Sequence, residues 1–208
     1  MDNSNKIILD LCGGTGAWSR PYRVKEYDTR IITLPAYNII KWKEYKWLRD
    51  IIYDGNVYGI LAAPPCTMFS LARTNAKNPR DLKGAMEIVK ACLEIIWECQ
   101  YETKKDTSKK TNLKFWALEN PNGMLKYFLG KPAFEFNPYD FGDDYKKRTH
   151  LWGWFNEPKK NPIKCFKSKF DKMKSKDIHP EQFGKLTRHE RRSITPAGFA
   201  KAFYEANK

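Results

Sequence analysis

Cys66 stands in Ala-Pro-Pro-Cys-Thr-Met-Phe-Ser, residues 63–70, at the end of an apolar run. The two prolines stiffen the approach and hold the thiol where a strand stops. A free thiol of pKa near 8.5 is only a few per cent ionised at neutral pH, yet it is a strong nucleophile, and a basic neighbour raises the thiolate fraction. Cys12, Cys92, Cys99 and Cys165 read as ordinary buried thiols. No pair has the Cys-x-x-Cys spacing of a zinc or disulfide site, so neither a metal nor a disulfide framework is expected. Glu119 lies in Ala-Leu-Glu-Asn-Pro, residues 117–121, at the end of a second apolar run. A carboxylate there can hold or pass a proton, although a Glu in an exposed turn is the commoner case. The third group is Asp-Leu-Cys-Gly-Gly-Thr-Gly-Ala-Trp, Asp10 to Trp18. Glycines directly after a strand let a ligand approach the backbone, and an ordinary tight turn explains them equally well.

These groups need elements to position them. Residues 6–11, 30–34, 57–63 and 113–119 read as strands, ended by glycine or proline clusters. Residues 81–100 carry Leu82, Met86, Val89, Leu93 and Ile96 at helical spacing, and residues 197–207 carry Phe199, Ala202, Phe203 and Ala206 likewise. Between them, residues 101–112 read as a polar, lysine-rich loop. Strands alternating with helices imply an α/β fold, a mostly parallel sheet flanked by helices. In such sheets ligands bind beyond the carboxyl ends of the strands. Three of those ends carry Gly13–Gly16, Pro64–Cys66 and Glu119–Asn120.

A chain of 208 residues suits one domain with a small appendage. The net charge of +14 and pI near 9.5 point to a polyanionic partner, nucleic acid first. The charge is clustered: residues 157–176 hold eight lysines, Lys167, Lys169, Lys172 and Lys174 among them, against Glu157 and Asp171. Lysines of this kind fix phosphate position without reading sequence, whereas a solvated loop would leave them without a partner. The start, MDNSNK, has no apolar core, and no window approaches 18 apolar residues; a cytoplasmic protein with no membrane span is expected. His150, His179 and His189 lack ligand spacing and read as structural or, at most, DNA contacts. Trp152 and Trp154 read as core.

Taken in order, DLCGGTGAW, PPCTMFS, ENP, FGDDYKKRTHLWG at 141–153 and RRSITPAGFAKAFYEAN at 191–207 resemble the conserved blocks of DNA cytosine-5 methyltransferases. The likeness is greatest to the short members associated with phages, and its blocks span residues 7 to 207. The resemblance implies a Rossmann-like fold using S-adenosylmethionine (SAM) as cofactor, double-stranded DNA as partner, and a monomer. It implies that Cys66 attacks carbon 6 of the target cytosine, that Glu119 holds ring nitrogen 3 and the exocyclic amine, and that Arg148 contacts the base. It assigns SAM to Asp10, Cys12, Gly14, Gly16, Trp18 and Pro64, with Thr195 closing the pocket. It divides the chain into a catalytic domain at 1–154, a small basic DNA-recognition segment at 155–190 that includes Lys167, Lys169, Lys172 and Lys174, and a closing helix at 191–208. Departures are also plain. Cys12 stands where the family usually has Phe, Pro121 where it has Val, and the eighth block has one arginine instead of two. No acid follows the second strand to grip the ribose. Two alternatives stay open: a methyltransferase fold that only grips DNA, and the same chemistry with a modified SAM or with RNA.

Overall fold

Ile-Ile-Leu-Asp-Leu, strand β1 (Ile7–Leu11), is buried at all five positions, the pattern of a strand covered on both faces. The computed structural model describes residues 2–73, 76–101, 111–165 and 188–208. Lys167, Lys169, Lys172 and Lys174, the loop around 102–110 and His179 lie outside the described residues. β1 pairs in parallel with β2 (Asp28–Ile32) on one side and with β3 (Val57–Ala62) on the other. β3 pairs in parallel with β4 (Phe115–Pro121). β4 then pairs antiparallel with β6 (Thr149–Trp154), and β6 antiparallel with the three-residue edge strand β5 (Phe134–Phe136). The fold is α/β with a six-stranded mixed sheet of order β2-β1-β3-β4-β6-β5. The expectation of a mostly parallel sheet is therefore corrected at one flank, where β6 reverses direction.

The period-2 alternation of the strands divides the core in two. Ile7, Leu9 and Leu11 face α2 (Lys46–Tyr53) and α3 (Leu82–Tyr101), packing with Leu48, Ile52, Cys92 and Ile96. Ile8, Leu61 and Ala117 face α1 (Arg20–Val24) and α6 (Ala197–Ala206), packing with Trp18, Tyr22, Phe199 and Phe203. Phe136 and Phe199 stack with ring centroids 4.0 Å apart, which ties the β5 edge to α6. The Gly198 amide donates to Asp143 Oδ2 at 3.1 Å, so the FGDD block and the last block are one packing unit. Two short helices complete the described residues: α4 (Lys126–Leu129), after β4, and α5 (Arg188–Ser193), before α6. Trp152 is core, but Trp154, at the far end of β6, is 59% exposed; the expectation that both tryptophans are core is corrected for Trp154. Among the described residues no helix is long and apolar enough to cross a membrane.

Candidate active site

From β1 the chain goes out to β2 on one side and returns to β3 on the other, so strand order reverses at β1 and opens a crevice beyond the carboxyl ends of β1 and β3. The turn after β1 and the Pro-Pro-Cys loop after β3 both enter it. Their starts are pinned by the sheet: the Cys12 amide donates to Ile32 O at 2.8 Å and the Ala63 amide to Leu11 O at 2.9 Å. In the turn, Gly14 and Gly16 have φ of 54° and 68°, the left-handed region that suits glycine. Cys12 also sits there, at φ 57°, a conformation rare outside functional turns for a side-chain-bearing residue.

The crevice is a cavity of about 530 Å³, within the range that holds nucleoside-sized ligands. Asp10, Cys12, Gly14, Trp18, Pro64, Cys66, Glu119 and Thr195 all line it. Gly16 lies behind the wall, shaping the turn. Arg148 is not in the cavity: its guanidinium forms a pair with Glu135 at 2.5 Å, with 58% of the side chain exposed. The residue that reaches inward is Lys147. Its Nζ donates to Arg192 O at 3.1 Å, tying α5 to the cavity wall. The sequence reading also passed over Thr15, Thr33, Tyr37, Asn38, Glu190 and Ser193 in the lining. Thr33 and Asn38 follow β2, where an acid was sought and not found; they supply neutral hydroxyl and amide groups instead.

At the reactive end, Cys66, Glu119 and Lys147 come together. Burial pushes the Cys66 thiol up, and the Glu119 charge pushes it further; Lys147 and Arg192 oppose them. Burial also raises Glu119, against the pull of Lys147. Burial makes a proton easier for this carboxyl to take up, and once protonated it can donate a hydrogen bond to a ring nitrogen. Protonation of Glu119 would relieve one of the two influences that raise the Cys66 thiol, burial being the other. The loop around Cys66 is fixed from below. Asn120 is buried, and its Nδ2 donates to Pro64 O at 2.9 Å. The Phe69 and Ser70 amides both donate to Cys66 O, at 3.0 and 2.9 Å. Asn120 thus holds the Cys66 loop while Glu119 faces the cavity, as adjacent residues of a strand must point to opposite sides.

The cavity lining also carries two residues with unpartnered buried polar atoms, Asp10 and Trp18. Asp10 is fully buried; Ser19 Oγ donates to Oδ2 at 2.5 Å, while Oδ1 has no hydrogen-bond partner. Burial pushes its carboxyl up to about 6. Trp18, packed edge-on to Phe203 at 5.4 Å, has an unpartnered buried Nε1. A carboxylate acceptor and an indole donor in one cavity suit the ammonium and carboxylate of an amino-acid moiety. The far wall is apolar, with Ile32, Leu34, Tyr37, Ile39, Ile40 and Ile88, and suits a flat heteroaromatic ring. A nucleoside joined to an amino acid, as in SAM, fits these donors and walls. Cys92 and Cys99 lie outside the cavity lining, whereas Cys12 is part of it; Cys12 and Cys165 are only partly buried, which corrects the expectation of ordinary buried thiols there. Cys92 and Cys99 are buried on α3, and burial holds the Cys99 thiol well above its ordinary range; Cys92 is raised by contact with the Cys12 thiol and by burial. His150 is buried on β6, where desolvation lowers it.

A scan of the chain against protein-family models finds no match, and a search of curated proteins finds no significant relative.

Proposed function

We propose that the chain is a SAM-dependent DNA cytosine-5 methyltransferase with the Rossmann-like architecture of that class. The observation that carries the reading is a single cavity lined both by Cys66, Glu119 and Lys147, whose charges act on one another, and by Asp10 and Trp18, which hold unpartnered polar atoms. When bound, SAM supplies an electrophilic methyl group on a sulfonium. Asp10 Oδ1 would accept from its ammonium, and Trp18 Nε1 would donate to its carboxylate. Protonated Glu119 donates to cytosine nitrogen 3, and Lys147 offsets negative charge developing on the ring. The Cys66 thiolate adds to carbon 6, forming the carbon–sulfur bond and making carbon 5 nucleophilic. Methyl transfer to carbon 5 would release the thioether S-adenosylhomocysteine; loss of the carbon-5 proton to a water acting as base would then leave the electron pair that expels the thiolate. A base in a duplex must leave the stack to reach Cys66, at a cost of a few kcal/mol.

The test is incubation of the full chain with methyl-labelled SAM and a mixed-sequence duplex, followed by nucleoside analysis. Label in 5-methylcytosine is expected. Cys66→Ser should abolish it while leaving SAM affinity within about twofold, because the hydroxyl cannot make the covalent bond at a useful rate. Turnover near the wild-type rate in Cys66→Ser would remove Cys66 from the chemistry.

A further inference from the structure

We infer that α4, with Lys131 and Arg148 beside it, is a nucleic-acid contact that holds the strand next to the target base, stacking a base on Tyr127 and binding phosphates at Lys126, Lys131 and Arg148. The inference rests on the proposal that the substrate is DNA. Its residues lie outside the lysine-rich segment at 157–176 in sequence. The chain leaves the cavity wall at Pro121, and the next amide, Asn122, donates to Arg148 O at 2.8 Å. The Met124 amide donates to Phe69 O at 2.8 Å, and the Phe128 ring meets Phe69 edge-on at 6.2 Å, three residues from Cys66. α4 therefore forms the rim of the cavity on the side of Cys66 and Lys147. A strand whose base enters the cavity near Cys66 from that side would pass over α4.

The rim has the chemistry such a strand needs. Tyr127 is 73% exposed and Phe128 48% exposed, side by side on one turn. The contact with Phe69 accounts for Phe128, but packing does not account for Tyr127. Lys126 Nζ lies 5.4 Å from the Tyr127 ring centroid, a cation beside an aromatic face. Aromatic platforms interleaved with cations are the general device for holding unstacked bases and their phosphates. Arg148 pairs with Glu135, but that pair is largely exposed, and exposed pairs contribute little net stability, so a phosphate can replace the carboxylate. An acidic peptide would use the cations and leave Tyr127 idle.

The experiment titrates a labelled mixed-sequence duplex with the full chain at several salt concentrations. It uses wild type, Tyr127→Ala and the double variant Lys126→Gln/Lys131→Gln, and S-adenosylhomocysteine affinity is measured in parallel. Tyr127→Ala should weaken duplex binding about 5- to 150-fold with an unchanged salt slope, because stacking releases no counterions. The double variant should flatten the slope by about 1.8 units. S-adenosylhomocysteine affinity should stay within twofold in both. The inference is overturned if wild type binds and methylates the duplex while both variants match it in affinity and slope. It is also overturned if S-adenosylhomocysteine affinity falls in step with DNA affinity, which would assign the effect to the fold. A wild type that binds no nucleic acid sinks the functional proposal and this inference together.

Discussion

Asp10→Asn tests the ligand end of the cavity by two independent readings. Asp10 is fully buried with one oxygen unpartnered, and its carboxyl is pushed up to about 6 from an ordinary value of 3.8. A folded-state value above the unfolded one means that the folded protein binds the extra proton. The stability so gained is fully present below pH 4 and is lost as pH rises through 6. The displacement is about two pH units, so at about 1.4 kcal/mol per unit the total is about 3 kcal/mol. About half of it falls between pH 5 and pH 8. The amide of the variant cannot titrate, so urea unfolding should show Asp10→Asn gaining about 1–2 kcal/mol on wild type over that interval. Constant costs of the substitution, such as an unpartnered amide, cancel in the difference. If the gap between the two proteins is the same at pH 5 and pH 8, Asp10 is not a strained acid and the argument fails.

The second reading concerns the ammonium that Asp10 is proposed to accept. A lost charge-assisted hydrogen bond costs roughly 1.5–3 kcal/mol, so S-adenosylhomocysteine should bind Asp10→Asn about 10- to 150-fold more weakly at pH 8. Methylthioadenosine has no ammonium and should bind both proteins alike. Equal losses for the two ligands would mean that the substitution disturbs the turn and not one contact.

Glu119→Gln should lower the methyl-transfer rate about 10²- to 10⁴-fold. The same variant should speed alkylation of Cys66 by iodoacetamide at pH 8, read by peptide mapping, because the Glu119 charge raises the thiol; slower alkylation would contradict the electrostatics of the site. Replacing Lys167, Lys169, Lys172 and Lys174 together by Gln should flatten the salt dependence of DNA binding by about 3–4 units and weaken all sequences equally. Parallel salt plots would place the grip elsewhere, with the α4 rim next in line.

Legibility followed burial. β1, β3 and β4 were readable because strands covered on both faces are plain apolar runs, and α3 because its stripe repeats at helical spacing. β5 has three residues, and β6, Thr-His-Leu-Trp-Gly-Trp, is buried at its first four positions with no alternation to read. Pro121 was taken as a break, yet it remains in β4, where the antiparallel partner Thr149 faces it. The site residues at strand ends were legible through their neighbours, glycine before a ligand turn and proline before the thiol. Lys147 was not. It and Arg148 are adjacent cations before an unrecognised strand, and only the phase of β6 decides which one turns inward. Thr33 and Asn38 were passed over for a related reason, since the search after β2 was for charge and the lining there is neutral.

The reversal of β6 explains why the reactive end is built as it is. In a parallel sheet only carboxyl ends gather at the ligand edge, and each contributes the loop that follows its strand. An antiparallel β6 brings its amino end to that edge, so the residues that precede it enter the cavity as well. Glu119, near the end of β4, and Lys147, in the segment two residues before β6, then line the same cavity. The pairing of Pro121 with Thr149 anchors that segment where it enters the sheet. The Lys147 contact with Arg192 O carries that rigidity on to α5, and Thr195 follows directly. A cation held this way balances the carboxylate and the thiol at once, opposing the burial that raises both. The strand that makes the sheet mixed thus brings the segment carrying Lys147 to the cavity, where its charge opposes the burial that raises the Cys66 thiol.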